Sequence, residues 1–232
     1  MLKQLGSGLL YLIYPRTCAA CGNILLNNEN VLCLSCFAEL PRTRFHNNPD
    51  NEVARLFWGR VLLSNATSFI FFNKDSIYRK ILHELKYKDQ RAVGQVMGRL
   101  FGLELRDTPF SQADIIIPVP LHPSKQRKRG YNQSELIANG VSQVLNIPVR
   151  NDLITRKMRT STQTRKNRFD RWLNVKDTFK VQNVEALGNK HVLLVDDVIT
   201  TGATIEACAG SILATCNVSV SVISLAYTKL QQ

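Results

Sequence analysis

The residues best equipped for chemistry are Asp196 and Asp197, followed closely by Thr200, Thr201, Gly202, Ala203 and Thr204. Directly before them stand Val192, Leu193, Leu194 and Val195, an apolar run that reads as a buried parallel strand. Directly after them an Ala-rich apolar segment (Ile205, Ala207, Ala209, Ile212, Leu213) suits a closely packed helix. Strand, polar loop and helix in that order make a phosphate-binding corner. Gly202 lets the backbone approach a ligand, and the N–H groups that open the helix have no partners within it. The hydroxyls of Thr200, Thr201 and Thr204 add side-chain donors. The two carboxylates repel a phosphate and must face something else, for which a pair of ribose hydroxyls is well suited. An acidic pair that merely caps a helix is the simpler reading, and the ordered occurrence of all four features argues against it.

A second strand reads from Asp114-Ile115-Ile116-Ile117-Pro118-Val119-Pro120, where Pro118 and Pro120 end ladder donation. Ligands of open α/β sheets collect at the carboxyl ends of the strands, so Pro120, Leu121 and the residues to Lys125 form a second binding loop. Residues 126–132 continue as a basic, Gly-containing loop, with Asn132 or Ser134 capping the helix that follows. Leu136, Ile137, Val141, Val144 and Leu145 give that helix an apolar face.

The net charge of +12 is unevenly placed. Residues 124–131 carry four cations (Lys125, Arg127, Lys128, Arg129) and no acid, and residues 156–171 carry seven against Asp170 alone. Ten of the twelve net charges thus sit in two short stretches, which points to a polyanionic partner.

Four of the six cysteines form the pairs Cys18-x-x-Cys21 and Cys33-x-x-Cys36, separated by eleven residues. Two such knuckles present four thiolates to one tetrahedral Zn2+, with no position left open for catalysis. Disulfides are the structural alternative and would fit a secreted chain. The apolar run at residues 9–13 is too short for a membrane span or a signal sequence and reads as an amphipathic helix in a cytoplasmic protein. Cys208 and Cys216 fall in or just after the apolar helix beyond Thr204 and read as buried core thiols.

Pro41, Asn47, Asn48, Pro49 and Asp50 mark a linker. Residues 61–63 and 68–72 read as a hairpin around Ser64-Asn65-Ala66-Thr67. Residues 76–105 follow a helical period that breaks at Lys86-Tyr87-Lys88-Asp89, which predicts two helices. The chain length of 232 residues suits one ordinary domain with a small appendage.

The stretch Asp196 to Thr204 resembles the phosphoribosyl diphosphate (PRPP) signature of type I phosphoribosyltransferases. The wider order of motifs resembles the ComF/GntX family, phosphoribosyltransferase-like proteins associated with natural competence and the use of external DNA. The resemblance rests on the four-cysteine ribbon, on Leu85-Lys86-Tyr87, and on Ile117-Pro118-Val119-Pro120-Leu121-His122-Pro123 with Lys125 and Arg127. It continues through Arg129-Gly130-Tyr131-Asn132-Gln133, through Thr162, Gln163, Arg168, Asn174 and Phe179, and through the acidic loop itself.

The resemblance implies an α/β fold: a type I phosphoribosyltransferase-like parallel sheet flanked by helices over residues 46–232, with a helix and small zinc ribbon over residues 1–45. It implies that Asp196 and Asp197 hold the ribose while residues 200–204 hold the 5′-phosphate of PRPP. Pro120, Leu121, Arg127 and Arg129 would then meet the diphosphate, Mg2+ would bridge ligand oxygens, and Lys125 would join the acidic pair in any catalysis. Arg165, Lys166, Arg168 and Arg171, with Tyr131 as a stacking aromatic, are candidates for binding single-stranded DNA. Two function classes follow. One is a PRPP- and DNA-binding protein of DNA uptake and transformation, with competence or recombination proteins as partners. The other is an active phosphoribosyltransferase with an unidentified nucleobase or other acceptor.

Overall fold

The computed structural model describes residues 15–87, 90–157, 178–215 and 217–229. The expected helix near residues 9–13, the basic segment with Arg165, Lys166, Arg168 and Arg171, and Cys216 lie outside the described residues. The ribbon (residues 15–40) ends in α1 (Leu34–Ala38), and α2 (Glu52–Arg55) precedes β1 (Asn65–Phe71). Two longer helices, α3 (Arg79–Tyr87) and α4 (Arg91–Leu105), lead to β2 (Ile115–Pro118). Then come α5 (Pro123–Arg129), α6 (Gln133–Leu145), and the short strands β3 (Ile154–Arg156) and β4 (Phe179–Val181). The chain closes with β5 (His191–Ile199), α7 (Ala203–Leu213) and β6 (Ser219–Tyr227).

The main sheet has the order β1-β6-β5-β2, and all three pairings are parallel. Parallel strands are covered on both faces, and the alternation along β5 shows it. Leu193 and Val195 pack with Ile81, Leu85, Met97, Phe101, Ile137 and Val141 beneath α3, α4 and α6. Val192 and Leu194 pack with Phe57, Leu153, Phe179, Ile205, Cys208 and Ile212 on the other face. The ribbon's Ala20, Leu25, Val31, Leu32 and Leu40 join the first of these cores rather than forming one of their own.

Both sheet edges are flanked by extended chain. Beside β1, Thr43 donates its N–H to the Phe69 carbonyl (2.9 Å), and Phe71 donates to the Pro41 carbonyl (2.8 Å). Beside β2, Ile116 donates to the Pro148 carbonyl and Arg150 donates to the Ile116 carbonyl, each at 2.9 Å.

Three sequence expectations change. No hairpin forms at residues 61–72: β1 pairs with β6, Leu62 is 85% exposed, and Ser64 donates to the Val220 carbonyl. Aromatic and β-branched density marked the strand, but local sequence could not say that its partner lies some 150 residues away. The basic stretch after β2 is a helix, α5, not a loop. The His122 ring accepts from the Ser124 N–H, and Pro123 sits in the first turn. Arg127, Lys128 and Arg129 crowd its last turn, where cations suit the helix dipole. Finally, β5 runs on through Asp196 and Asp197 to Ile199 instead of ending before them.

Candidate functional site at the carboxyl end of β5

Asp196 and Asp197 lie where β5 emerges from the sheet, and the first of them is buried. Its Oδ1 accepts from the Ser134 hydroxyl (3.1 Å) and from the Asp197 N–H (2.9 Å). Burial, together with the neighbouring Asp197 charge, pushes the Asp196 carboxyl up to about 7, and the Lys86 charge only partly offsets this. Asp197 is half-buried and meets Lys86 Nζ at 3.3 Å. The acidic pair is thus gripped by α6 on one side and α3 on the other.

The loop that follows has the shape the sequence predicts. Thr200, Thr201, Ala203 and Thr204 are exposed around Gly202, whose φ of 76° caps α7 in the left-handed region. A side chain at 202 would also meet Phe57 Cε1 at 2.8 Å, so both backbone and space demand glycine there. The amides opening α7 therefore stand beside exposed threonine hydroxyls, a preformed anion cradle. Glu206 in the first turn of α7 opposes an anion, and Arg60 neutralises it. Arg60 Nε donates to Glu206 Oε2 (3.0 Å), while its Nη1 donates to the Thr201 carbonyl (2.9 Å) and the Leu56 carbonyl (2.9 Å). One guanidinium thereby ties the cradle to the end of α2.

Arg60→Ala is expected to speed amide hydrogen exchange through residues 201–206 while costing less than about 1 kcal/mol of global stability, because the pair is partly exposed. Arg60→Lys should restore little, since an ammonium cannot span the same three acceptors in a plane. Unchanged exchange in the alanine variant would show that the tether does not hold the loop.

The block Arg129-Gly130-Tyr131-Asn132-Gln133 is a brace. Asn132 Oδ1 accepts from the Ser134 N–H (3.2 Å), capping α6, and Asn132 Nδ2 donates to the Val119 carbonyl (3.0 Å), fixing the chain beyond β2. Arg129 donates to the Gln133 side-chain oxygen (2.7 Å). Tyr131, expected as a stacking aromatic, is buried: its hydroxyl donates to the Leu85 carbonyl (2.8 Å), and Arg91 lies over its ring. It is not presented to a base, because its ring completes the packing between α3 and the start of α6. Pro120 and Leu121 are half-buried directly beyond β2. Lys125 and Arg127 are exposed on α5, so the cation that touches the acidic pair is Lys86. Three contacts escaped the sequence reading: Lys86, Ser134 and Arg60. Leu85-Lys86-Tyr87 was conspicuous as a motif, but only the fold brings it to Asp197. Cys208 is fully buried as expected, and burial pushes its thiol well up.

A second site lies in the ribbon. The ligand atoms of Cys18, Cys21, Cys33 and Cys36 all lie within 4.8 Å of one another, and the Cys21 and Cys33 sulfurs are 3.8 Å apart. Four thiolates at about 2.3 Å from a tetrahedral Zn2+ would be separated by roughly 3.8 Å. The Cys33 N–H points at Cys18 Sγ and the Asn23 N–H at Cys21 Sγ, each at 3.4 Å, as suits charged sulfur. Donor set, convergence and backbone support fit a zinc ribbon.

Residues 132–230 match the phosphoribosyl transferase domain family. Competence protein F of Haemophilus influenzae is 35% identical over 131 residues, covering 54% of this chain and 57% of that protein. DNA utilization protein YhgH of Escherichia coli (strain K12) is 31% identical over 137 residues, covering 57% and 60%. Competence protein ComFC of Bacillus subtilis is 24% identical over 202 residues, covering 82% and 80%. The alignments with the first two span about three-fifths of those proteins' length. The last reaches beyond the transferase region. Together with the sheet, the acidic loop and the convergent cysteines, these likenesses support the resemblance of the chain to the ComF/GntX family of phosphoribosyltransferase-like proteins.

Proposed function

We propose that this chain binds PRPP with Mg2+ at the carboxyl end of β5, binds single-stranded DNA, and acts in DNA uptake and natural transformation. Zn2+ is its structural metal. The observation that carries the reading is the pairing of a buried carboxylate, Asp196, and a half-buried one, Asp197, with the exposed cradle at Gly202. A phosphate held by the α7 amides would carry a sugar whose hydroxyls suit the carboxylates of Asp196 and Asp197. Mg2+ would supply charge neutralisation for the diphosphate, and Lys86 holds Asp197 in place. The names of the relatives, competence and DNA utilization proteins, support the cellular role.

Titration calorimetry with PRPP and Mg2+ tests the site. Asp197→Asn should weaken binding by roughly ten- to a hundredfold, the loss of a charge-assisted hydrogen bond. The pH dependence has a definite sign. Because Asp196 holds its proton up to about 7, a hydroxyl donor must displace that proton in acid, so affinity should rise from pH 6 to pH 8 and then level off. Asp196→Asn should flatten that profile. Equal affinity for the wild type and the doubly substituted protein would remove the assignment. Diphosphate release on adding candidate acceptors separates an active transferase from a binding protein.

A further inference from the structure

The ribbon turns apolar side chains toward solvent. Leu26 is 67% exposed and Leu34 73%, and with Phe37 they line a groove of about 290 Å3 whose other wall is Val96 and Leu100 of α4. Leu103 continues that wall: residues 96, 100 and 103 stand four and three positions apart, share a helix face, and Leu103 is exposed. The exposure is built in. One carboxylate of Glu29 accepts the Leu26 N–H at Oε2 and the Leu34 N–H at Oε1, each at 2.7 Å. Both leucines are thereby pinned to the rim of a preformed groove, and a contiguous apolar patch of this kind marks a contact surface.

The chain enters the ribbon on this same rim. Thr17 pairs with Ile24, Leu25 donates its N–H to the Arg16 carbonyl (2.8 Å), and the Arg16 guanidinium donates to the Leu26 carbonyl (3.3 Å). What precedes Pro15 is thus tethered within a residue or two of Leu26. Residues 1–14 lie outside the described residues, and their sequence suits the groove. Leu2, Leu5, Leu9 and Leu12 recur at three, four and three residues, the spacing of one helix face, with Ile13 beside them. Lys3, Gln4, Ser7 and Tyr11 fall on the opposite face. A helix over residues 2–13 is about 18 Å long, and Val96 to Leu103 takes up about 10 Å of α4, so one such helix covers the stripe. A helix of this length is marginal alone in water and needs a surface for its leucines.

We propose that residues 2–13 of this chain dock in the groove as an amphipathic helix, their leucine stripe against Leu26, Leu34 and Leu100, and strap the ribbon to α4. The competing occupants are a second copy of the chain and a membrane surface. A segment joined at Pro15 meets the groove at an effective concentration on the order of millimolar, which favours it over a second copy in dilute solution. The inference is independent of what binds at the carboxyl end of β5.

The test is hydrogen exchange on the full chain, with and without groove substitutions. In the wild type, amides over residues 5–13 should exchange roughly tenfold or more slowly than in an unstructured peptide. Leu26→Glu with Leu34→Glu sets two carboxylates on the rim at exposed positions, and should return most of that protection while zinc content stays at the wild-type level. Should this variant lose zinc, Leu103→Glu, exposed on α4 and away from the cysteines, makes the same comparison. With photoreactive p-benzoylphenylalanine in place of Leu9, irradiation should give crosslinks within one chain to residues 26–37 or 96–103. Unprotected amides in the wild type would overturn the proposal, as would protection that the groove substitutions leave unchanged. Crosslinks that join two chains would assign the groove to a second copy, and protection that appears only on adding phosphatidylglycerol vesicles would assign the segment to a membrane surface; either overturns it.

Discussion

Cys33→Ser is expected to strip the metal from the ribbon and unfold residues 15–40, with zinc content falling from one per chain to well below that. Apart from the metal, the ribbon relies on the apolar residues it lends to the first core. Its described backbone pairings are few, among them Cys18 N–H to the Asn23 carbonyl, Ala19 to Val31 and Leu25 to Arg16. Structural Zn2+ contributes apparent binding free energies of about 10–16 kcal/mol in small modules, comparable to the whole stability of a domain. Damage should spread beyond the ribbon. The Tyr78 hydroxyl donates to the Cys36 carbonyl (3.2 Å), and the ribbon's apolar residues share a core with Ile81 and Leu85 of α3. Hydrogen exchange should therefore rise at the start of α3 as well as in the ribbon. Elemental analysis of fresh wild-type protein showing little zinc, with disulfides by mass spectrometry, would refute the assignment.

Gly98→Ala and Gly140→Ala should each destabilise the protein strongly. α4 and α6 meet backbone to backbone. A Cβ on Gly98 would lie 2.3 Å from the Ile137 carbonyl oxygen, and one on Gly140 would lie 2.3 Å from the Gln95 carbonyl oxygen. Neither obstacle can rotate away, so the helices must part. Overpacking of this kind costs about 1–3 kcal/mol or more, and each kcal/mol lowers Tm by about 2–4 °C in a protein of this size. Parting the helices also draws Ser134 away from Asp196, so ligand affinity at the β5 loop should fall with stability. Gly210→Ala is the control. It lies in α7 with nothing within 4 Å of a new Cβ, and alanine is the better helix former by up to about 1 kcal/mol. A Gly98→Ala protein that melts with the wild type would mean that the helices are not so closely seated.

What the sequence disclosed depended on how local the cause was. The strand at residues 192–195, the break between α3 and α4, the Asn132 cap and the convergence of four cysteines all follow from short-range chemistry, and each is present. The partner of β1 and the role of Arg60 depend on residues more than 140 positions away, and nothing nearby announces them. Tyr131 misled because an aromatic among cations looks alike in a stacking loop and in a buried brace; only the Leu85 carbonyl distinguishes them. The glycines of α4 disappeared inside an amphipathic pattern that registers where apolar side chains fall, and is blind to a contact made by having none.

The short stretches beside β1 and β2 bear on how copies of this protein meet. An uncovered edge strand offers its N–H and C=O groups to any extended segment that passes, the usual route to intermolecular strand addition and aggregation. Here residues 41–43 occupy one margin and residues 148–150 the other. Self-association by extending the sheet is therefore disfavoured, and encounters between molecules fall to side chains on helices and ribbon. Attraction of a chain of net charge +12 to a polyanion would in this way not bring the main sheets of neighbouring copies into edge-to-edge pairing when many copies crowd along it.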